Sequence, residues 1–332
     1  MIDIFIPQPL SGARVVPFLA SSDQGGKRLF QNLPTGSYDG IFRSVTDPAA
    51  AQVHIIPHEY AVMRSHPQVL ASYIEGAKRA GKPVLLSAYQ DDPEPLNVKG
   101  AAIFRASLYK SKQSKGEIVM PAYVEDLGAQ YGHNPLITKD ASVGFVGKAG
   151  FRNTLEAVRY GVRNYVVRQG ADREGIYFRR SALDALRRHP SVKVNAIIRR
   201  SFSAHKDTIE RPEEELRAEY VANMRDSLFT LAPRGDGNYS LRFYETLSMG
   251  RIPILIDTDM ALPFEDKIAY DQFIVRVPWK DIARIGEYVD RFLEKPTEEI
   301  VEAQRKAREA FERYLYMPAF LRNIVSSGRL NV

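Results

Sequence analysis

Residues 231–257, LAPRGDGNYSLRFYETLSMGRIPILID, collect the side chains and backbone types that bind a phosphate ester. An apolar run leads into Arg234-Gly235-Asp236-Gly237, and Ser240 precedes a helical pattern opening with Leu241 and Arg242. Gly235 and Gly237 are expected to take positive φ and let the backbone approach a ligand, with the amide of Asp236 between them. Ser240 is a suitable N-cap, and Gly250 stands where a helix commonly ends in a left-handed residue. The helix N-terminus then offers unpaired N–H groups and positive potential, which suits a phosphate. Arg242, in the first turn, opposes the helix dipole by roughly 0.3–1 kcal/mol unless an anion binds beside it. Glu245 lies three residues on, on the same helix face. Its carboxylate can accept hydrogen bonds from two ribose hydroxyls; a plain Arg242–Glu245 surface pair is the alternative.

Lys148 and Arg152 follow an apolar run, Val143–Val146, and are placed to support the same phosphates. Asp257-Thr258-Asp259 is a DxD tripeptide, but two cationic groups and a helix dipole make a metal redundant there, so it reads as a solvated turn. None of the six histidines falls in an HExxH or other metal-binding spacing. No nucleophile elbow, phosphate loop of the GxxxxGK[ST] type or GxGxxG after a strand occurs.

These residues need a frame. Short apolar runs at Ile2–Ile6, Gln52–Pro57, Pro83–Ala88 and Ala101–Phe104 read as strands buried on both faces, as do Val143–Val146, Val192–Ile198, Leu228–Ala232, Ile252–Asp257 and Phe273–Val277. Between them, Val69-Tyr73-Ile74-Ala77, Leu155-Val158-Val162-Val166, Leu183-Leu186 and Leu216-Tyr220 recur at helical spacing. Alternation of this kind predicts an α/β fold with parallel sheets. The turn-rich segment Gly128–Asp140 marks a boundary. The expected division is 1–138, 139–310 and a C-terminal helical piece, 311–332. Thr297–Asn323 forms one helical pattern interrupted at Pro318.

A chain of 332 residues with 44% hydrophobic and 26% charged residues can bury an ordinary core, which excludes disorder as the default. The absence of cysteine excludes a disulfide framework and cysteine-ligated zinc. No apolar stretch approaches the ~20 residues needed to span a bilayer, and the N-terminus lacks a signal-peptide pattern, so a cytoplasmic protein, at most peripheral to a membrane, is expected. A net charge of +6 points to an anionic partner. The basic patches Arg179-Arg180, Arg187-Arg188 and Arg199-Arg200 lack the aromatics of an RNA-binding module and read as solvated helix faces, so no nucleic-acid partner is expected.

In their combination, Pro233-Arg234-Gly235, Ser240-Leu241-Arg242, Glu245-Thr246, Gly250-Arg251-Ile252-Pro253 and Leu262-Pro263-Phe264 resemble the donor-binding segment of the exostosin-like glycosyltransferases. DQFIVRVP (271–278) is similar to that family's next strand, and softer likenesses extend the match to about residues 50–290. The resemblance implies two Rossmann-like, doubly wound domains in a GT-B architecture, with ligands at the carboxyl ends of their strands and a C-terminal helix returning to the first domain. It further implies a UDP-linked nucleotide-sugar donor, inversion, and a glycan or lipid-linked glycan acceptor, as in polysaccharide biosynthesis. Neither metal nor cofactor is expected. An inverting transfer needs a base on the acceptor side. Asp92, in the loop YQDDPEP after the strand Pro83–Ala88, is the first choice, and His58, after Gln52–Pro57, the second. A sugar-nucleotide epimerase and a non-catalytic glycan- or nucleic-acid-binding protein are the competing readings.

Overall fold

The computed structural model describes residues 1–20, 28–30, 33–34, 38, 40–200 and 212–330. Two compact units emerge: Met1–Glu125 with Met260–Phe264 and Arg313–Val332, and Asp126–Asp259 with Glu265–Glu312. The chain thus passes to the second unit at Glu125, ahead of the turn-rich segment, and returns twice.

The first unit carries β1 (Ile2–Phe5), β2 (Arg28–Phe30), β3 (Leu33–Pro34), β4 (Phe42–Ser44), β5 (Val53–Ile55), β6 (Val84–Ala88), β7 (Ala102–Arg105) and β8 (Glu117–Val119). Strands β2 and β3 form a small antiparallel pair, and the other six form one sheet ordered β4-β1-β5-β6-β7-β8. Every pairing in that sheet is parallel. All five residues of β6 and all four of β7 are buried, the pattern of strands covered on both faces. After β5 come α1 (Tyr60–Met63) and α2 (Pro67–Arg79). Helix α2 begins with Pro67, whose missing N–H costs nothing there. Its Leu70 and Ala77, with Val69, Tyr73 and Ile74, pack on Ile56, Val84 and Leu86, as their spacing predicts.

The second unit runs through α3 (Leu127–Tyr131), β9 (Ser142–Lys148), α4 (Thr154–Gly161), α5 (Gly175–Arg188), β10 (Lys193–Arg199) and α6 (Glu213–Arg225). It continues with β11 (Phe229–Leu231), α7 (Leu241–Ser248), β12 (Ile252–Asp257), β13 (Val275–Pro278), α8 (Ile285–Leu293) and α9 (Thr297–Ala310). Its sheet is ordered β10-β9-β11-β12-β13, parallel throughout. Gly144 in β9 admits α6, since a Cβ there would lie 2.7 Å from Asn223 Oδ1.

The last helix, α10 (Met317–Ser326), belongs to the first unit. Phe320 packs its ring 5.2 Å from Phe104 and 5.5 Å from Phe264. Pro318 occupies the first turn of α10 and so starts a helix; the interruption is a π-type turn at Phe311–Leu315. The two parallel sheets are of the kind the GT-B architecture combines.

In both sheets the first strand lies between the second and third strands of its parallel set. The chain leaves β1 for β4 on one side, then crosses to β5 on the other. It likewise leaves β9 for β10, then crosses to β11. Ligands of open parallel sheets bind outside the carboxyl ends of the strands at such a reversal. The residues to inspect are therefore those that follow β5 in one unit and β9 and β11 in the other.

Candidate functional site

Beyond β11 the chain turns through Arg234–Tyr239 and enters α7, whose N-cap is Ser240. The turn closes through Gly235 N–H donating to Tyr239 O at 2.8 Å. Neither Gly235 nor Gly237 takes positive φ, contrary to the expectation above. The space around Gly175, at the start of α5, shows what the turn requires instead. A Cβ there would sit 2.3 Å from Gly235 O and 2.5 Å from Arg234 O. The backbone of α5 is pressed against the carbonyls of the turn, and the glycine is needed on the helix.

Arg234 is almost fully buried. Its guanidinium donates to Gly237 O at 3.2 Å, Asp236 O at 3.3 Å and Ala171 O at 2.9 Å. It holds the turn together, so its effect on a ligand is through its charge and through the turn it shapes. Asp236 projects at the exposed tip.

Ser240 is in the N-cap position, but its side chain makes no capping hydrogen bond to α7. Arg242 follows in the first turn. It donates to Val146 O at 2.6 Å and stacks 4.5 Å from the Phe145 ring, both at the end of β9. Gly147 makes room for it, because a Cβ would come within 2.9 Å of Arg242 Nη2. Strand β9 and helix α7 are thereby joined across the reversal by a guanidinium.

A third arginine completes this group, and the sequence reading passed over it as a solvated helix face. Arg179 on α5 is buried and donates to Lys148 O at 3.3 Å and Arg234 O at 3.4 Å. It touches the chain just beyond β11 and the last residue of β9. Burial pushes its pKa down to about 10, Arg242 pushes the same way, and Asp236 offsets them in part. A signal was available: Arg179 falls among Ala182, Leu183 and Leu186 on the apolar stripe of α5, where a solvated arginine does not belong.

Lys148 and Arg152 are less open than expected. Lys148 Nζ donates to Glu156 Oε1 at 2.8 Å, and the Arg152 N–H donates to Glu156 Oε2 at 2.6 Å. Glu156, in the first turn of α4, thus takes up much of their charge. Glu245 departs further from the reading. Its side chain is 4% exposed, with Tyr220 Oη donating to one oxygen at 2.5 Å and Arg217 Nη1 to the other at 3.2 Å. Two ribose hydroxyls have no access to it in this arrangement, so Glu245 holds Tyr220 and Arg217 in place.

The far end of α7 is pinned. Arg308 donates to Ser248 O at 2.7 Å and pairs with Asp126, and Gly250 takes the left-handed φ of +59°. An otherwise unpaired carbonyl of the last turn is thereby satisfied. Asp257 pairs with Arg276 at 3.3 Å, and Thr258 Oγ1 donates to Asn238 Oδ1 at 2.6 Å. No cluster of three or more histidines or carboxylates suited to a metal ion occurs among the described residues.

In the first unit, β5 runs into Pro57-His58-Glu59. His58 is fully buried, accepts the Leu10 N–H on Nε2 at 2.8 Å and donates from Nδ1 to Arg14 O at 2.9 Å. Because Leu10 N–H can only donate, the ring is the neutral Nδ1–H tautomer. Both nitrogens are engaged, which removes His58 as a proton acceptor and makes it the anchor of the loop before it. Asp92 is exposed and accepts the Glu94 N–H at 3.0 Å, closing its own turn. The loop around it hangs on Arg105, which donates to Asp92 O at 2.7 Å and Glu94 O at 2.9 Å.

The neighbour of His58 has the properties a base needs. Glu59 is half-buried; Ser87 Oγ donates to one carboxylate oxygen at 2.9 Å and the Tyr89 N–H to the other at 3.0 Å. Both donors come from the end of β6. Burial raises the pKa of Glu59, with those two hydrogen bonds opposing. Each oxygen keeps a second lone pair. From sequence alone, nothing distinguishes this glutamate beyond its place after an apolar run.

Comparison with known proteins now bears on the second unit. Residues 167–292 match the description of the exostosin GT47 domain. Exostosin-1 of Drosophila melanogaster is 34% identical over 98 residues, 30% of this chain and 12% of that protein. A probable glucuronosyltransferase of Oryza sativa subsp. japonica is 34% identical over 88 residues, 26% of this chain and 20% of that protein. The probable beta-1,4-xylosyltransferase IRX10 of Arabidopsis thaliana is 32% identical over 100 residues, 30% of this chain and 24% of that protein. The chain therefore spans a quarter or less of each of these relatives. Among solved structures, TarM overlays with a TM-score of 0.39 over 84% of this chain and 55% of its own, at 9% identity, too distant to define how two units are arranged. Together with the motifs at Arg234, Ser240-Leu241-Arg242 and Gly250, the match over residues 167–292 makes that part of the chain similar to the exostosin GT47 domain.

Proposed function

We propose that the chain is an inverting glycosyltransferase that moves a sugar from a UDP-linked donor to a glycan or lipid-linked glycan hydroxyl. One observation carries this reading. Arg179, Arg234 and Arg242 gather where β9 and β11 end, and each donates to main-chain carbonyls there, which fixes three guanidinium groups in one place. The N-terminus of α7 adds amides that Ser240 leaves uncapped. Fixed positive groups at a sheet reversal suit a diphosphate. The names of the plant relatives, a probable glucuronosyltransferase and a probable xylosyltransferase, are consistent with it.

In this reading the second unit binds the diphosphate through Arg242, Arg179, Ser240 and the amides of Asp236 and Gly237, the Gly235 amide being engaged by Tyr239 O. Arg234 shapes the turn, while Lys148 and Arg152 add field from farther away. Glu59 is the first choice of base, with Asp92 second. The acceptor oxygen bonds to the anomeric carbon as the bond from that carbon to the β-phosphate oxygen breaks. The acceptor proton passes to the carboxylate, and the nucleoside diphosphate leaves with its new charge facing the arginines. Charge stabilised by groups already in position is the largest contribution of this kind of site.

A sugar-nucleotide screen by thermal shift tests the reading. A true donor at 100 times its dissociation constant stabilises by about 2.7 kcal/mol. No shift with any nucleoside diphosphate or its sugars sinks the proposal. Because cationic side chains supply the phosphate charge, turnover is expected to survive EDTA. Loss with chelator and recovery with Mn²⁺ reassigns part of that charge to a metal, with Asp257 and Asp259 the first residues to substitute.

A further inference from the structure

Leu155, Val158, Val162 and Val166 recur at helical spacing, and such a stripe ordinarily faces a core. Here it faces solvent. Helix α4 continues into a π-type turn, Val162–Val167. Along the two, Leu155, Val158, Val162, Tyr165, Val166 and Val167 are exposed, from 49% at Val162 to 71% at Val166. The other exposed large apolar side chains, Met1, Tyr131, Ile137 and Ile198, are scattered singly along the described chain. Isolated exposed apolar residues are normal, whereas a contiguous patch marks an interaction surface.

The segment is held to its unit by the opposite side. Asn164 is buried and donates to Tyr160 O and to the Glu174 carboxylate, each at 3.0 Å, while the Glu174 N–H donates to Asn164 Oδ1 at 2.8 Å. The apolar face is therefore fixed outward. Counted at 100° per residue, Leu155, Val158 and Val162 fall within roughly 60° of arc, and Val166, in the π-type turn that follows, is exposed as well. Arg159 and Arg163 lie along one edge of that arc, and Arg152 and Arg168 stand near its two ends; all four are exposed. Between residues 151 and 169 the one acidic residue is Glu156, which bonds Lys148 and Arg152, and Arg163, though exposed, pairs with Glu174 at 3.2 Å.

We propose that this face docks the second unit on an anionic lipid surface. The apolar stripe would enter the boundary between headgroups and acyl chains, and the arginines would meet the headgroup phosphates. Tyr165 has the apolar body and polar tip favoured at that depth. The charge pattern selects this occupant over a second copy of the chain, because a two-fold pairing would bring two arginine-rimmed faces together. The inference is independent of glycosyl transfer, and its test uses neither donor nor acceptor.

The experiment is vesicle flotation of the whole chain with phosphatidylcholine alone and with phosphatidylcholine plus phosphatidylglycerol. Two triple variants accompany it, Val158→Ser/Val162→Ser/Val166→Ser and Arg159→Gln/Arg163→Gln/Arg168→Gln. All six side chains are exposed, so unchanged melting temperatures are expected and certify the fold. The unaltered chain is expected to float with anionic vesicles and not with neutral ones. The arginine variant should bind roughly a hundredfold more weakly, at about 1 kcal/mol for each charge near the surface, and the serine variant should fail to float. Absence of binding to anionic vesicles overturns the proposal. So does binding that neither variant reduces, or a dimer in sedimentation that the serine variant dissolves while vesicles remain unbound.

Discussion

Arg105 in the first unit and Arg179 in the second do the same mechanical work in different electrostatic settings. Each is a buried guanidinium that ties the carbonyls of the loop beyond a strand to the sheet. Arg105 reaches Asp92 O and Glu94 O, and it has Glu117 at 2.5 Å, both side chains fully buried. Arg179 reaches Lys148 O and Arg234 O, and the charge that acts on it most is the like charge of Arg242, ahead of the opposite charge of Asp236. Burial lowers the pKa in both, but Glu117 opposes it in the first and Arg242 adds to it in the second. A loop that needs only to be held is given a neutral pair. In the loop after β11, the leading charge on the buried arginine is a like one.

Breaking the neutral pair should have the largest effect. Glu117→Ala strands Arg105 in the core and is expected to cost about 3–5 kcal/mol in urea unfolding, while Arg105→Met with Glu117→Leu together should be far milder. A small loss in the single variant means that the pair is not what holds the loop. Next comes Glu59, the proposed base. Glu59→Gln should lower turnover by ~10²-fold or more and leave UDP affinity unchanged; if Asp92→Asn does this instead, the exposed loop is the acceptor side. The same variant has a signature in stability. A carboxyl whose folded pKa is raised stabilises the native state at low pH and loses that contribution as pH rises through the folded value. The native chain should therefore lose stability relative to Glu59→Gln on going from acid to neutral pH, and parallel profiles would contradict the raised pKa.

In the second unit, Arg179→Met should weaken UDP binding by about 1.5–3 kcal/mol by calorimetry, the scale of charged hydrogen bonds. It should cost the ligand-free protein less than Glu117→Ala does, since the lost hydrogen bonds to main-chain carbonyls are set against relief of the repulsion from Arg242. A stability loss like that of Glu117→Ala would erase the distinction between the two loops. The smallest effect separates two helix starts. Asn153 caps α4 by accepting the Glu156 N–H at 2.8 Å, whereas Ser240 does not cap α7. Asn153→Ala is expected to cost about 1 kcal/mol and Ser240→Ala less than the ~0.5 kcal/mol at the low end for lost caps. Equal losses would mean that Ser240 caps α7 in solution.

Much of the frame was legible because both faces of these strands are covered. Runs such as Pro83–Ala88 and Ile252–Asp257 show as unbroken apolar stretches, and β6 and β12 fall within them. The helix after Ser240 and its end at Gly250 were legible from capping chemistry. What escaped depends on contacts between segments distant in sequence. The glycine that the turn requires is Gly175, sixty residues before Gly235. The partners of Glu245 lie on α6, and its exposure could not be judged from the spacing to Arg242. His58 and Glu59 are adjacent and equally polar, yet one is locked by Leu10 and Arg14 while the other keeps spare lone pairs. Periodicity found the stripe Leu155–Val166 and could not tell whether a core lay beneath it.

The return of Arg313–Val332 to the first unit bears on the order in which the chain matures during synthesis. Until those residues emerge, the first unit lacks α10, and the rings of Phe104 and Phe264 lack Phe320. The second unit, contiguous except for Met260–Phe264, can close sooner. Units usually fold in order of emergence; here the half that is made first is finished last, and a nascent chain that has cleared the ribosome only to about residue 312 would present a closed second half beside an open first one, a target for chaperones.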